Sequence, residues 1–180
     1  MLFRSGYPEA DDESYVPPGW DEWISPARGD PYTQYDYTLN DNGELRDYGS
    51  TESDYLGDVM NTAAIDFVRT APTNRPFFLY VAPFVPHDPA EPAPRYADAF
   101  PGVALPRPPS FDQEDLSAEP EWFRRRRPLL TSEIRSAEAL HRLRLQSMLS
   151  IEDLLRGVFD TLEATGRDRD RKSTRLNSSH

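Results

Sequence analysis

The sequence predicts an α/β fold, and two neighbouring patterns carry that prediction. Apolar residues recur at helical spacing over residues 53–69, after polar residues that can cap a helix, and the pattern stops before Pro72. A continuous apolar run follows over residues 76–82, without the polar alternation of a half-exposed strand. A helix that leads into a strand covered on both faces is half of a βαβ unit, so we expect a parallel sheet flanked by helices.

Two further elements are predicted on either side of this unit. Residues 32–48 contain alternating aromatic and polar residues around Asn42 and Gly43, the pair that a tight hairpin turn requires. We therefore expect two short antiparallel strands there. Apolar residues at helical spacing predict a second, long helix over about residues 132–164, and Gly166 is suited to end it.

Two stretches of the chain predict loops. Residues 6–30 mix proline, glycine, acids and aromatics without a period, so we expect a loop that Trp20 and Trp23 anchor to the protein. Residues 83–109 contain proline at a density that no helix or central strand tolerates. This second stretch should be a long, ordered surface loop.

Composition narrows the classes of function. The chain has 180 residues, 20 Lys and Arg against 31 Asp and Glu, and a net charge of −11, which disfavours binding to nucleic acid or to anionic membranes. It has no cysteine, which excludes disulfides, thiolate metal sites and a cysteine nucleophile within the chain. No apolar run reaches the roughly 20 residues of a membrane span, and the start lacks the pattern of a signal peptide.

His87 is the main candidate for a functional side chain. It follows directly after the predicted buried strand, where open α/β sheets place their ligand sites. Pro86 and Pro89 restrict the backbone on both sides, so the imidazole would be held in one orientation. The alternative is that His87 is a solvated side chain or a structural hydrogen-bonding group.

Three other charged segments have a simpler explanation than a binding site. Asp41-Asn42-Gly43 offers oxygen ligands for a cation, but its place at the hairpin tip favours a turn. Asp11-Asp12-Glu13 is acidic, yet an irregular solvated stretch is the favoured interpretation. Arg124–Arg127 could bind a phosphate or sulfate, although pairing with neighbouring acids is favoured. The common sequence signatures of serine hydrolases, P-loop nucleotide sites and zinc proteases are absent.

The chain resembles the formylglycine-dependent sulfatases, and is most similar to the subgroup of N-acetylglucosamine-6-sulfatase and related arylsulfatases. The resemblance rests on segments that follow one another in the family's order over residues 6–166. These segments are Val16-Pro17-Pro18-Gly19-Trp20-Asp21-Glu22-Trp23, Tyr35-Asp36-Tyr37-Thr38-Leu39-Asn40 with Asn42-Gly43, Asp54-Tyr55-Leu56-Gly57-Asp58-Val59, Pro76-Phe77-Phe78-Leu79-Tyr80-Val81-Ala82-Pro83 ending in Pro86-His87, Pro92-Ala93-Pro94-Arg95-Tyr96, and Ser150-Ile151-Glu152-Asp153-Leu154-Leu155.

The resemblance implies a fold, a reaction and a role for one residue. The fold would be an alkaline-phosphatase-like α/β sandwich in which a formylglycine hydrate attacks a sulfate ester with the help of a calcium ion. The substrate would be a sulfated small molecule or glycan, and the protein would be periplasmic or secreted. His87 matches the family's histidine that donates a hydrogen bond to the substrate sulfate, as an oxyanion-stabilising group does.

Other landmarks of the family are missing. The Cys or Ser-x-Pro-x-Arg nucleophile motif, the Asp-Asp metal pair and the late Asp-Asn-Gly metal motif do not occur where the family has them. We therefore expect residues 6–170 to be part of a sulfatase catalytic domain, and residues 1–5 and 171–180 not to belong to the natural protein. Such a segment would hold no catalytic residue, metal ligand or cofactor and would be inactive alone. The alternative is an acidic, non-catalytic binding or structural module derived from this fold.

Overall fold

A small antiparallel sheet and two packed helices make up most of the regular structure. The computed structural model describes residues 12–168, so the predicted foreign ends lie outside the described residues. The strands are β1 (Ile24–Arg28), β2 (Tyr37–Asp41) and β3 (Glu44–Tyr48), and the helices are α1 (Leu56–Thr70), α2 (Glu121–Arg124) and α3 (Thr131–Ala164). Single 3₁₀ turns lie at Pro31–Thr33, Glu52–Asp54 and Pro94–Tyr96.

The predicted hairpin is confirmed as β2 and β3. The two strands pair antiparallel, with Tyr37 opposite Tyr48 and Asp41 opposite Glu44. The two turn residues between them, Asn42 and Gly43, have φ angles of 54° and 93°. Both angles are positive, as a two-residue hairpin turn requires, so the sequence pair fixes the turn.

The predicted loop over residues 6–30 is wrong in part, because it contains a strand. β1 pairs antiparallel with β2, with Ile24 opposite Asp41, and the sheet order is β1-β2-β3. Pro26 is tolerated since β1 lies at the edge of the sheet. The predicted anchoring role of Trp23 is confirmed, because its side chain is buried and its backbone N–H donates to Asn42 Oδ1 at 2.7 Å.

Both predicted helices are confirmed. α1 was expected over residues 53–69 and begins at Leu56, after the 3₁₀ turn. α3 was expected over residues 132–164 and spans Thr131–Ala164, followed by Gly166 at a φ of 69°. The helical period predicted both helices, although only α1 buries its apolar residues as one regular stripe. α3 buries Gln146, Ser147, Ser150, Leu154 and Leu162 and leaves Met148, Leu155 and Phe159 exposed. The buried residues of α1 are Leu56, Gly57, Met60, Ala64 and Val68.

α1 and α3 pack through small residues. A Cβ atom added at Gly57 would lie 3.5 Å from Ser150 Cβ, and one added at Gly157 would lie 2.7 Å from Ile65 Cδ1. The glycines therefore allow the two helices to approach closely, and Ser150 is fully enclosed between them. The core beside them joins the sheet, α1 and the proline-rich loop, and consists of Tyr37, Leu39, Leu56, Met60 and Phe84.

The predicted buried strand over residues 76–82 is wrong. No strand forms there, and no strand of residues 12–168 pairs with it. Phe78 is 71% exposed, and Phe77 contacts Phe67 of α1 edge to face at 5.4 Å between ring centroids. An apolar run becomes a strand only when a partner strand satisfies its backbone, so the pattern alone could not decide this element. The segment instead borders an apolar groove of about 610 Å³ beside α1.

The proline-rich stretch over residues 83–109 is a loop, as predicted, with one 3₁₀ turn at Pro94–Tyr96. The loop is packed rather than solvated on all sides, because Ala90 and Ala93 are fully buried. Gln146 of α3 is also buried, and its amide donates to Ala97 O and Ala99 O. Among residues 12–168, no helix combines the length and the apolar character that crossing a membrane demands.

Candidate functional site

His87 lies at an exposed turn of the proline-rich loop. Its backbone N–H donates to Phe84 O at 3.0 Å, and its carbonyl accepts from Ala90 N at 2.6 Å. Phe84 and Ala90 are both buried, so the turn is fastened to the core on each side of an exposed imidazole. The sequence placed His87 directly after a buried strand, and this placement is wrong because the residue follows an irregular segment. Its location in a surface loop is as predicted.

Two contacts orient the imidazole. Nδ1 lies 2.8 Å from Asp88 O, and the ring packs on Tyr32 with 4.4 Å between ring centroids. A carbonyl oxygen can only accept a hydrogen bond, so Nδ1 carries the proton of this pair. Nε2 then has a lone pair when the ring is neutral and donates only when the ring is the imidazolium cation. When the ring is the imidazolium cation, its Nε2–H group can therefore donate a hydrogen bond to an anionic ligand.

Neighbouring aromatic residues support the loop around His87. Tyr32 also packs edge to face on Phe84 with 5.2 Å between ring centroids. On the other side of His87, the fully buried Tyr55 donates its hydroxyl to Glu91 O at 2.9 Å. Burial raises the pKa of Tyr55 to about 12, because the phenolate would lose its hydration. Tyr55 therefore remains a hydrogen-bond donor over the whole neutral range.

The structure confirms the turn interpretation of Asp41-Asn42-Gly43. Asp41 pairs with Arg46 at 2.9 Å, and Asn42 Nδ2 donates to Asp41 Oδ1. The carboxylate oxygens of Asp41 are therefore engaged within the hairpin. Asn42 Oδ1 is engaged as well, because it accepts a hydrogen bond from the backbone N–H of Trp23. The triplet therefore has a structural role and brings no further ligand to His87.

The acidic cluster near the start also has local partners. Asp12 accepts hydrogen bonds from the backbone and side chain of Ser14, which lower its pKa, while Glu13 pairs with Arg28. Asp11 lies outside the described residues. Over residues 12–168, no group of three or more His, Asp or Glu residues is arranged to hold a metal ion. The described residues thus do not fit the calcium ion that the family resemblance implies.

The arginine run over residues 124–127 is mostly engaged in ion pairs. Arg125 pairs with Glu121, Arg126 with Asp112 at 2.9 Å, and Arg127 with Glu133 at 2.8 Å. This confirms the interpretation of the run as a patch that pairs with surrounding acids.

The sequence did not predict a side-chain network that fastens the proline-rich loop to both long helices. Arg95 contacts Asp58 of α1 through two nitrogens, Nη1 at 2.6 Å and Nη2 at 2.7 Å. Nη2 also donates to Asp153 of α3 at 2.7 Å, and Tyr96 donates its hydroxyl to the same oxygen, Asp153 Oδ2. Burial alone would raise the pKa of Asp153, but the bonds from Tyr96 and Arg95 outweigh it and lower that pKa. Arg95 and Asp153 lie in two of the segments that carry the family resemblance. Only the structure shows that the two side chains contact each other.

Comparison with known proteins agrees with the resemblance. N-acetylglucosamine-6-sulfatase of Homo sapiens is 35% identical over 168 residues, which cover 92% of this chain and 30% of that protein. The arylsulfatase of Volvox carteri is 32% identical over 178 residues, covering 84% of this chain and 26% of that protein. The extracellular sulfatase SULF-1 homolog of Drosophila melanogaster is 29% identical over 158 residues, covering 85% of this chain and 14% of that protein.

The chain thus spans less than a third of the length of the curated relatives that it matches. The family model described as sulfatase matches residues 10–171. This match covers all of the residues that the structure describes and includes His87, Arg95 and α3. The chain belongs to the sulfatase family.

Proposed function

We propose that the complete protein containing this chain hydrolyses sulfate esters of sulfated sugars, and that His87 binds the sulfate. Family membership supports the reaction class, and the name of the human relative, N-acetylglucosamine-6-sulfatase, supports a sugar substrate. One observation carries the role of His87: its ring is exposed while Nδ1 is held by Asp88 O, which leaves Nε2 for a ligand.

The chemistry assigned to His87 is electrostatic. As the imidazolium, it donates an Nε2–H hydrogen bond to a sulfate oxygen and offsets the negative charge that develops when the ester S–O bond breaks. The packing on Tyr32 and the bond to Asp88 O fix the ring before the substrate arrives, which lowers the entropy lost on binding.

Other parts of the machinery belong to this proposal. The described residues do not fit calcium, and the chain contains neither the Cys nor the Ser form of the nucleophile motif, so the complete protein would supply both groups from elsewhere. Residues 6–170 would then form part of one catalytic domain with an alkaline-phosphatase-like α/β fold. A secreted or periplasmic location follows the same proposal, and the extracellular relatives support it. Sequencing the gene beyond this chain for the nucleophile motif and the two metal motifs tests these points together.

His87→Ala in the complete protein tests the role of the imidazole. We expect kcat/KM for a sulfate ester to fall by roughly 10- to 1,000-fold, because one hydrogen-bond donor to the developing charge is lost. The measurement is steady-state hydrolysis of an aryl sulfate and of N-acetylglucosamine 6-sulfate.

The matched control is His141→Ala, which removes a histidine of α3 that contacts neither Tyr32 nor Asp88. Its kinetics should equal those of the wild type. Unchanged kinetics in His87→Ala would refute the role of His87. A complete protein without hydrolase activity, and without a nucleophile motif, would instead favour the non-catalytic binding module.

A further inference from the structure

Arg95 is the central residue of the network that joins the proline-rich loop to α1 and α3. Its guanidinium makes three hydrogen bonds to two carboxylates, Asp58 and Asp153, at 2.6–2.7 Å. The same group lies over the ring of Tyr96, 4.7 Å from its centroid. The side chains of Arg95, Asp58 and Asp153 are each about one-third exposed, so the network is only partly screened by water.

The network is well placed to control the loop that carries His87. Between His87 and Arg95 the chain is packed tightly, since Ala90 and Ala93 are fully buried and Tyr55 holds Glu91 O. A rigid, short connection of this kind transmits a shift of Arg95 to the turn at His87. On the other side of the turn, the buried Phe84 packs on Tyr32, so Arg95 acts on the side of the turn that leads to α1 and α3.

We infer that Arg95 is a positioning residue for His87, and this inference rests on the sulfate-binding role proposed above. Arg95 binds Asp58 and Asp153 at the same time and so fixes the proline-rich loop on α1 and α3. The fixed loop keeps the turn at His87 in the position where the ring packs on Tyr32 and Nδ1 donates to Asp88 O. A lysine cannot replace it, because one ammonium group lacks the planar fork that spans two oxygens of Asp58.

A spectroscopic experiment on the 180-residue chain tests the positioning directly, without activity. In ¹⁵N spectra of the imidazoles at a pH where they are neutral, wild-type His87 should show the pattern of a ring protonated at Nδ1. Arg95→Ala and Arg95→Lys should shift the His87 signals toward the tautomer mixture of free imidazole. The signals of His141 should stay in place and serve as the internal reference for intact folding.

The matched control is Arg69→Ala, which removes an exposed arginine of α1 that pairs with Asp66 of the same helix. This variant should leave the His87 signals unchanged. Should Arg95→Ala lose its helical circular dichroism, Asp153→Asn provides a milder variant that weakens the same network. Unaltered His87 signals in folded Arg95 and Asp153 variants would overturn the inference.

Kinetics of the complete protein separate this inference from the proposed function. Arg95→Ala should lower kcat/KM by about 10- to 100-fold in the wild-type background. In a His87→Ala background it should add less than about 3-fold, because both changes remove the same interaction. Additive losses would assign Arg95 a general structural role and overturn the inference. If His87→Ala alone leaves the activity unchanged, the proposed function fails whatever Arg95 does.

Discussion

Tyr55 shows how one hydroxyl group can connect three parts of the chain. The residue precedes α1, is fully buried, and donates to Glu91 O in the proline-rich loop. Ser150 of α3 in turn donates its hydroxyl to Tyr55 at 3.4 Å. Removal of the hydroxyl oxygen alone would keep the packing of the Tyr55 ring. It would delete the hydrogen bonds of the hydroxyl to Glu91 O and Ser150.

Tyr55→Phe should lower the free energy of unfolding by about 0.5–1.5 kcal/mol, the typical net contribution of one hydrogen bond, because the bond to Glu91 O is partly buried. Urea denaturation followed by circular dichroism at neutral pH measures this change. The matched control is Tyr35→Phe, since Tyr35 packs on Tyr55 and its hydroxyl has no hydrogen-bond partner among residues 12–168. Equal losses in the two variants would contradict the role assigned to the Tyr55 hydroxyl.

At the scale of elements, Gly57 sets how closely α1 approaches its neighbours. An added Cβ would lie 2.6 Å from the Tyr55 ring and 3.5 Å from Ser150 Cβ. Tyr55 is held at both its ring and its hydroxyl, so it cannot move aside without breaking other contacts. Helical propensity alone favours alanine over glycine by about 1 kcal/mol, and the two effects therefore oppose each other.

Gly57→Ala should destabilise the chain by about 1–3 kcal/mol, because overpacking against a fixed aromatic ring outweighs the gain in helical propensity. The midpoint of thermal or urea unfolding measures the net effect. Gly102→Ala serves as the control, since a Cβ there meets nothing within 4 Å and the change should be close to neutral. A stabilised Gly57→Ala protein would show that α1 and Tyr55 separate at low cost.

At the scale of the whole molecule, several paired carboxylates make stability depend on acid pH. A hydrogen bond from Arg127 and one from Leu130 N–H lower the pKa of Glu133, at the start of α3, from 4.5 to about 2. Arg126 and Leu129 N–H likewise lower the pKa of Asp112. Since the folded pKa lies below the unfolded one, the unfolded chain binds more protons in acid, and the stabilisation is present above pH 4.5.

The urea midpoint should therefore stay level above about pH 5 and fall progressively as the pH drops from 4.5 towards 2. Glu133→Gln should remove part of that slope, because a neutral amide does not titrate. Glu114→Gln is the control, since Glu114 is exposed and has no ion pair within the described residues. A midpoint that does not change between pH 5 and 2 would contradict the linkage.

Local geometry was predictable from the sequence, and tertiary contacts were not. Asn42 and Gly43 specify their turn without help from distant residues, and the helical period of α1 reflects a face that is buried in the structure. The period of α3 predicted a helix, but its apolar residues Met148, Leu155 and Phe159 are exposed. The apolar run over residues 76–82 was predicted wrongly, because a strand needs a partner that the sequence pattern does not identify. The exposed turn at His87 followed from its prolines. The role of Arg95 did not, since its partners lie 37 and 58 residues away.

The packing of α1 against α3 has a consequence for how the chain folds. The contact between Tyr55 and Ser150 joins residues 95 positions apart, so an intervening loop must close before the helices can dock. Loop closure costs conformational entropy, although this cost grows only slowly with length. Proline already restricts the unfolded chain, and half of the 18 prolines lie within residues 83–109. The prolines that keep this loop free of helix and strand therefore also reduce the conformational entropy that is lost on folding. In this way they favour the docking of α1 against α3, although the two helices lie far apart in the sequence.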